Sequence, residues 1–191
     1  MPRIAPKPLS RYPWYLRLMY ARQRRVYGGH LVPTLVWGRV PVLLRRFLIF
    51  FAGFERRRSA LDPVLRALIT VRVSQINWCA FCVDFNAARV LSHGDHEEKL
   101  SQLASFRDSG IFSEAEKLAL EYAEVITRSD VQVDDELFAR LRRHYGEDAI
   151  VELTGLIAFQ NMSSKFNAAL DIEPQGLCRI QTRLLPSQGE P

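Results

Sequence analysis

The sequence predicts an all-α fold, and three observations carry that expectation. Apolar residues recur at helical spacing, as in Leu65, Leu68, Ile69, Val73 and Ile76. Helix-start chemistry recurs between such segments, at Asp62-Pro63, at Ser113 with Glu116, and at Asp134. No stretch alternates apolar and polar residues between turn-rich flanks, so no sheet is expected.

Each element follows from local chemistry. The proline-rich opening to about Leu9 is expected to be extended. Ser10 is placed to cap a first helix through about Tyr27, ended by Gly28-Gly29. Pro33 and Pro41 divide the next stretch into two helical pieces, the second reaching about Arg58. Asp62 followed by Pro63 opens the main domain, since Asp caps well and Pro suits the first helical position. The helix is expected to pause at Asn77-Trp78 and restart at Cys79, running to Gly94. Asp95 with Glu98 suggests the cap of a short helix to about Phe106. Ser113 with Glu116 forms a cleaner capping box for a helix to about Arg128. Asp134 caps another, closed by Gly146 after Tyr145, and a last helix spans about Glu147 to Ala169. The expected organisation is a basic helical arm (residues 1–61), a helical domain (62–172) and a tail (173–191).

Composition narrows the function. With 191 residues and 48% hydrophobic content, the chain suits one domain with an appended arm and is too apolar for general disorder. The formal net charge of +5 comes largely from arginines of the arm, where Glu55 is the only acid before Asp62. Such a surface could meet anionic lipid, nucleic acid or an acidic partner. No base-reading or stacking motif accompanies it, so it reads as a solvated face with no specific nucleic-acid partner. Val42 to Phe54 is apolar but short and interrupted by Arg45 and Arg46. It is expected to pack against the domain or a second copy rather than a membrane. Three cysteines and the lack of an apolar leader in the first residues point to a cytoplasmic protein with reduced thiols.

The chemistry centres on Cys79-Ala80-Phe81-Cys82. Two cysteines three positions apart at a helix start lie within disulfide reach, and the free N–H groups of the first turn favour a thiolate. A thiolate can attack a peroxide or a disulfide, and the second cysteine can resolve the product. Zinc is the lesser alternative, because the chain holds one CxxC pair where a structural site commonly needs two. Inert buried cysteines are the stronger rival. Helix-terminus reasoning alone favours Cys79 as the more acidic thiol.

The run Val73 to Asn86, the segment Phe112 to Leu120, and the segments Ile150 to Asn161 and Phe166 to Leu170 resemble alkyl hydroperoxidase D-like proteins of the carboxymuconolactone decarboxylase superfamily. The resemblance covers roughly Asp62 to Ile172 and implies an alkyl hydroperoxidase D-like helical bundle, here with an N-terminal helical extension. It implies a thiol-dependent peroxidase or disulfide oxidoreductase in antioxidant defence, with Cys82 attacking and Cys79 resolving. The implied partners are a peroxide or disulfide substrate, a thiol reductant and further copies of the chain; no cofactor or metal is implied. Two positions depart from the redox pattern. Asn86 stands where the family carries His, and Ala67 where it carries Glu. Asn cannot accept a proton at neutral pH, so the usual proton relay is missing. Arg72 and Gln75 are candidate supporting residues, since both share the cysteine face if the helix is continuous. The alternative is a non-catalytic helical protein that binds a ligand or partner. Independently of the resemblance, the helix with Leu43, Leu44, Phe47, Leu48, Phe50, Phe51 and Phe54 is apolar nearly all round, which predicts a homo-oligomer using the arm.

Overall fold

The structure is a computed structural model that describes residues 2–56, 58–180 and 184. Met1 and Arg57, in the expected arm, and 181–183 and 185–191, in the expected tail, lie outside the described residues. Among the described residues there are nine α-helices and no strand. The arm holds α1 (Trp14–Tyr27), α2 (Val32–Trp37) and α3 (Pro41–Phe54). The domain holds α4 (Pro63–Ile76), α5 (Ala80–Ser92), α6 (Glu97–Ser101), α7 (Glu114–Thr127), α8 (Asp135–His144) and α9 (Glu147–Ala169).

The strongest start signals hold. Asp62 accepts hydrogen bonds from the N–H groups of Val64 and Leu65 and caps α4. Ser113 and Glu116 form a reciprocal capping box at α7, and Asp134 accepts from Leu137 N at α8. Gly28 closes α1 at φ 73°, a conformation that suits a residue without Cβ.

Three boundaries differ from expectation. Ser10 does not cap α1. It lies in a short 3₁₀ turn, Leu9–Arg11, and the helix starts at Trp14 after Pro13. Proline forces the preceding Tyr12 to extended backbone (φ −90°, ψ 150°), so a helix cannot run through. Asp95 and Glu98 do not cap α6, which begins at Glu97 with His96 as N-cap and no side-chain bond. α6 stops at Ser101, and a 3₁₀ turn, Leu103–Ser105, carries the chain on. α3 ends at Phe54, short of Arg58.

α4 is the centre of the molecule. It packs against α5, α7 and α9, and Ala67, Leu68, Ile69, Val71 and Val73 are wholly buried. Buried residues fall on every side of α4, which requires that it be enclosed in this way. Each of the Leu, Ile and Val side chains contributes roughly 1.5–3 kcal/mol relative to exposure. The arm is fastened to this core through aromatic contact. Phe47, Phe51 and Phe54 of α3 surround Phe159 of α9, with ring centroids 4.9, 5.8 and 5.6 Å away. Trp37 is stacked between Phe47 and Phe166, at 5.0 and 3.8 Å. Within the arm, Tyr12 and Tyr20 donate to the carbonyls of Leu35 and Thr34. The tail also packs: Cys178, Ile180 and Leu184 join the main core. No helix among the described residues is long and apolar enough to cross a membrane.

Candidate active site

α4 and α5 meet at a sharp turn. Trp78 adopts φ 55°, a left-handed conformation uncommon for a bulky residue, and this reverses the chain. Asn77 anchors the turn by donating to Asn161 Oδ1 at 2.9 Å and Ser164 Oγ at 2.8 Å on α9. Cys79 then becomes the N-cap of α5. Its sulfur accepts the N–H of Cys82 at 3.3 Å, where Ser or Asp would ordinarily offer oxygen.

The two sulfurs have different surroundings. Both are free thiols and nearly fully buried, Cys79 at 1% exposure and Cys82 at 3%. Cys82 faces a cavity of about 440 Å³. Cys79 does not line it and sits behind Cys82, its own N–H donating to Ser74 O. The Cys82 sulfur accepts from Asn167 Nδ2 at 3.2 Å. Burial disfavours a Cys82 thiolate, yet hydrogen bonds from Cys79, Asn167, Gln160 and Ser163 together bring its pKa below the ordinary thiol range. The Cys79 thiol moves the other way. Its hydrogen bond to the Cys82 sulfur holds its proton, and burial raises its pKa further. The helix-terminus expectation for Cys79 is therefore reversed: as N-cap its sulfur is spent on one N–H, while Cys82 collects donors from α9.

Those donors are themselves held. Gln160 Nε2 donates to Ser74 Oγ at 2.8 Å, and Ser74 Oγ to Thr70 O at 2.5 Å. Asn167 Oδ1 is buried with no hydrogen-bond partner among the described residues. Asn86 is buried, lines the cavity and accepts from Arg89 at 3.2 Å; it carries no ionisable group. Ala67 is wholly buried in α4.

Arg72 and Gln75 do not reach the cavity. Arg72 pairs with Glu124 at 2.5 Å, a carboxylate shared with Arg107, also at 2.5 Å. Gln75 accepts from Arg72 and donates to Leu184 O at 2.8 Å. The turn at Asn77-Trp78 breaks the helical phase that would have aligned them with Cys79. Asp84, two residues after Cys82 and so expected on another face as a surface or subunit-contact residue, is wholly buried and accepts the N–H groups of Gln175 and Cys178 at 2.8 and 2.6 Å. His93 is exposed and does not line the cavity. Of Asn161, Ser163, Ser164 and Asn167, the polar residues of the last helix that the sequence offers as a possible pocket lining, Ser163 and Asn167 do line the cavity, and Gln160 is the lining residue of that helix that the sequence did not single out. Asn167 lies 85 residues from Cys82 in sequence, and the polar stripe of α9 was the only available sign of it.

Removing the Asn167 donor tests this electrostatic account. In Asn167→Ala, the pH profile of Cys82 alkylation by iodoacetamide should move upward. Its rate at neutral pH should fall about tenfold, since a hydrogen bond to a charged group contributes about 1.5–3 kcal/mol. An unchanged profile would show that Asn167 does not favour the thiolate.

An all-helical bundle with a CxxC pair under an aromatic cavity defines a helical dithiol protein. The chain belongs to the carboxymuconolactone decarboxylase family, whose signature matches residues 41–125 and so begins within the arm. It is 44% identical over 173 residues to YnjA of Escherichia coli strain K12, a match spanning 91% of this chain and 95% of that one. Among solved structures it is similar to the debrominase Bmp8 in complex with 2,3,4-tribromopyrrole (TM-score 0.81, 23% identity, 94% of this chain and 95% of that one). It is also similar to an alkylhydroperoxidase AhpD core, a peroxidase-related protein from Ralstonia eutropha JMP134 (TM-score 0.80, 19% identity, 97% and 98% covered). These structural likenesses establish the shared alkyl hydroperoxidase D-like fold.

Proposed function

We propose that the protein is a thiol-dependent reductase of organic hydroperoxides, with Cys82 as nucleophile and Cys79 as resolving residue. One observation carries the reading: Cys82 alone of the pair faces the cavity, with Asn167 Nδ2 donating to its sulfur. The Cys82 thiolate attacks the terminal peroxide oxygen, forming an S–O bond and breaking the O–O bond. The alkoxide leaves and takes up the proton released when Cys82 ionised. Cys79 then attacks the sulfenic sulfur, forming the disulfide and releasing water. Two thiols are oxidised to one disulfide, and one hydroperoxide is reduced to an alcohol and water. A dithiol reductant restores the pair by exchange. Asn167 Oδ1, without a partner among the described residues, accepts the hydroperoxide O–H. Asn86 contributes shape and polarity to the cavity, and proton traffic runs through the dithiol itself.

The assay is consumption of an organic hydroperoxide by the full chain with dithiothreitol. Rates indistinguishable from the reductant alone would reject the reading. A non-catalytic binding protein would instead show an unperturbed Cys82 thiol and no Cys79–Cys82 disulfide under mild oxidation. Because the debrominase Bmp8 shares the fold, a halogenated pyrrole belongs beside the hydroperoxide in the same assay. Faster consumption of the halide would replace the peroxide as substrate.

Assembly belongs to the same reading. Val42, Leu43, Ile49 and Phe50 of α3 are exposed, each at 50% or more, and we read them as contact surface between copies in a homo-oligomer. Light scattering at micromolar concentration should give a mass above 22.0 kDa. A monomer mass would reject this.

A further inference from the structure

We infer that the cavity takes an amphiphilic anion: an apolar body of fatty-acid size, one carboxylate head, and the group reduced at Cys82 at its other end. This rests on the reductase reading and adds its substrate class. The cavity has three chemically distinct zones. Its floor is polar, with Cys82, Gln160, Ser163 and Asn167. Its walls are aromatic, with Trp37, Phe47, Phe51, Phe81, Phe85 and Phe159. Its rim is cationic, because Arg22 of α1 is the only charged residue lining it among the described residues.

Arg22 is exposed and makes no hydrogen bond or ion pair among the described residues. It stands on a helix with Arg17, Arg24 and Arg25 and without any acid. The local field at the mouth therefore favours anions. The volume of about 440 Å³ lies within the roughly 300–1,000 Å³ usual for small-molecule sites. Hydrogen peroxide would touch the floor and leave the aromatic wall uncovered. A carboxylate at Arg22 with a chain along the wall uses all three zones and directs the far end to the thiolate. The matched pairing of apolar area with one charge is what selects this class over a neutral alkyl or aryl hydroperoxide.

The test begins with binding, separate from turnover. Octanoate and methyl octanoate are titrated into the reduced full-length protein and followed by calorimetry. Octanoate should bind about fivefold more tightly than the ester, the scale expected of one exposed ion pair. Arg22→Gln should weaken octanoate and leave the ester unchanged, removing the preference. High salt should shrink the preference. Arg24→Gln, on the same helix but outside the cavity lining, removes the same charge from the surrounding field and should keep most of the preference; a loss as large as that in Arg22→Gln would overturn the Arg22 assignment. Equal affinity for acid and ester, a preference indifferent to Arg22→Gln, or binding of neither overturns the inference. A second arm compares a fatty-acid hydroperoxide with its methyl ester as substrates. An Arg22-dependent preference in binding without any hydroperoxide consumption would sink the reductase reading and leave the anion site standing. Consumption with no preference for the acid would do the reverse.

Discussion

Cys82→Ser is expected to lower thiol-driven hydroperoxide consumption at least about a hundredfold, since a serine hydroxyl stays protonated at neutral pH and is a poor nucleophile. Cys79→Ser should behave differently. It keeps the attacking sulfur, so one equivalent of hydroperoxide is consumed and a sulfenic acid accumulates at Cys82, trapped by dimedone and read by mass spectrometry. Turnover stops because nothing resolves it. Cys178 does not substitute for either thiol, being buried with its pKa raised mainly by desolvation. The wild-type rate should also hold at pH values below the ordinary thiol pKa of about 8.5, because the Cys82 pKa is lowered and the thiolate survives further acidification. The sign is specific. As pH falls through the lowered pKa, thiolate and rate fall together; above it the rate is flat in this group. Equal rates for wild type and Cys82→Ser, or a sulfenic acid on Cys79 in place of Cys82, would defeat the assignment.

Asp84→Ala is expected to destabilise the fold by about 3 kcal/mol and to release the tail. The carboxylate is wholly buried on α5 and accepts two backbone N–H groups, from Gln175 and Cys178. Alanine leaves both donors unsatisfied, at about 1–3 kcal/mol each, partly relieved as the tail moves into water. The Gln175 side chain extends the same link to the arm, accepting from Val32 N and donating to His30 O, both at 2.9 Å. Loss of Asp84 should therefore loosen both ends of the chain around α5. Urea denaturation reads the stability. Maleimide labelling of Cys178, protected in wild type, reads the tail. A variant with unchanged midpoint and an unlabelled Cys178 would show that these bonds contribute nothing.

Much of the fold was legible because its signals are local. A cap such as Asp62, Ser113 or Asp134 acts on N–H groups two or three residues away, so neighbours in sequence suffice to identify it. Ser10 failed as a cap because Pro13 overrides it, a competition between two local signals of which the covalent one is stronger. The Asp95–Glu98 spacing failed because α6 starts one residue later than that box requires, with His96 in the N-cap position. Arg72 and Gln75 were placed by assuming a continuous helix, and the left-handed Trp78 breaks it.

What the sequence by itself determined is the helical class, most of the starts and stops, and the pair Cys79–Cys82 at a helix start. These depend on periodicity and on contacts a few residues long. The tertiary structure alone decided which thiol is favoured as thiolate, and what it faces. Cys79 and Cys82 are equivalent in composition and nearly so in position. They differ because α9 brings Gln160 and Ser163 beside Asn167 on the Cys82 side, and α1 to α3 bring aromatic walls and Arg22 over that sulfur. Acidity in a buried site is set by the donors and the solvent exclusion around an atom, and both are supplied by chain segments far away in sequence.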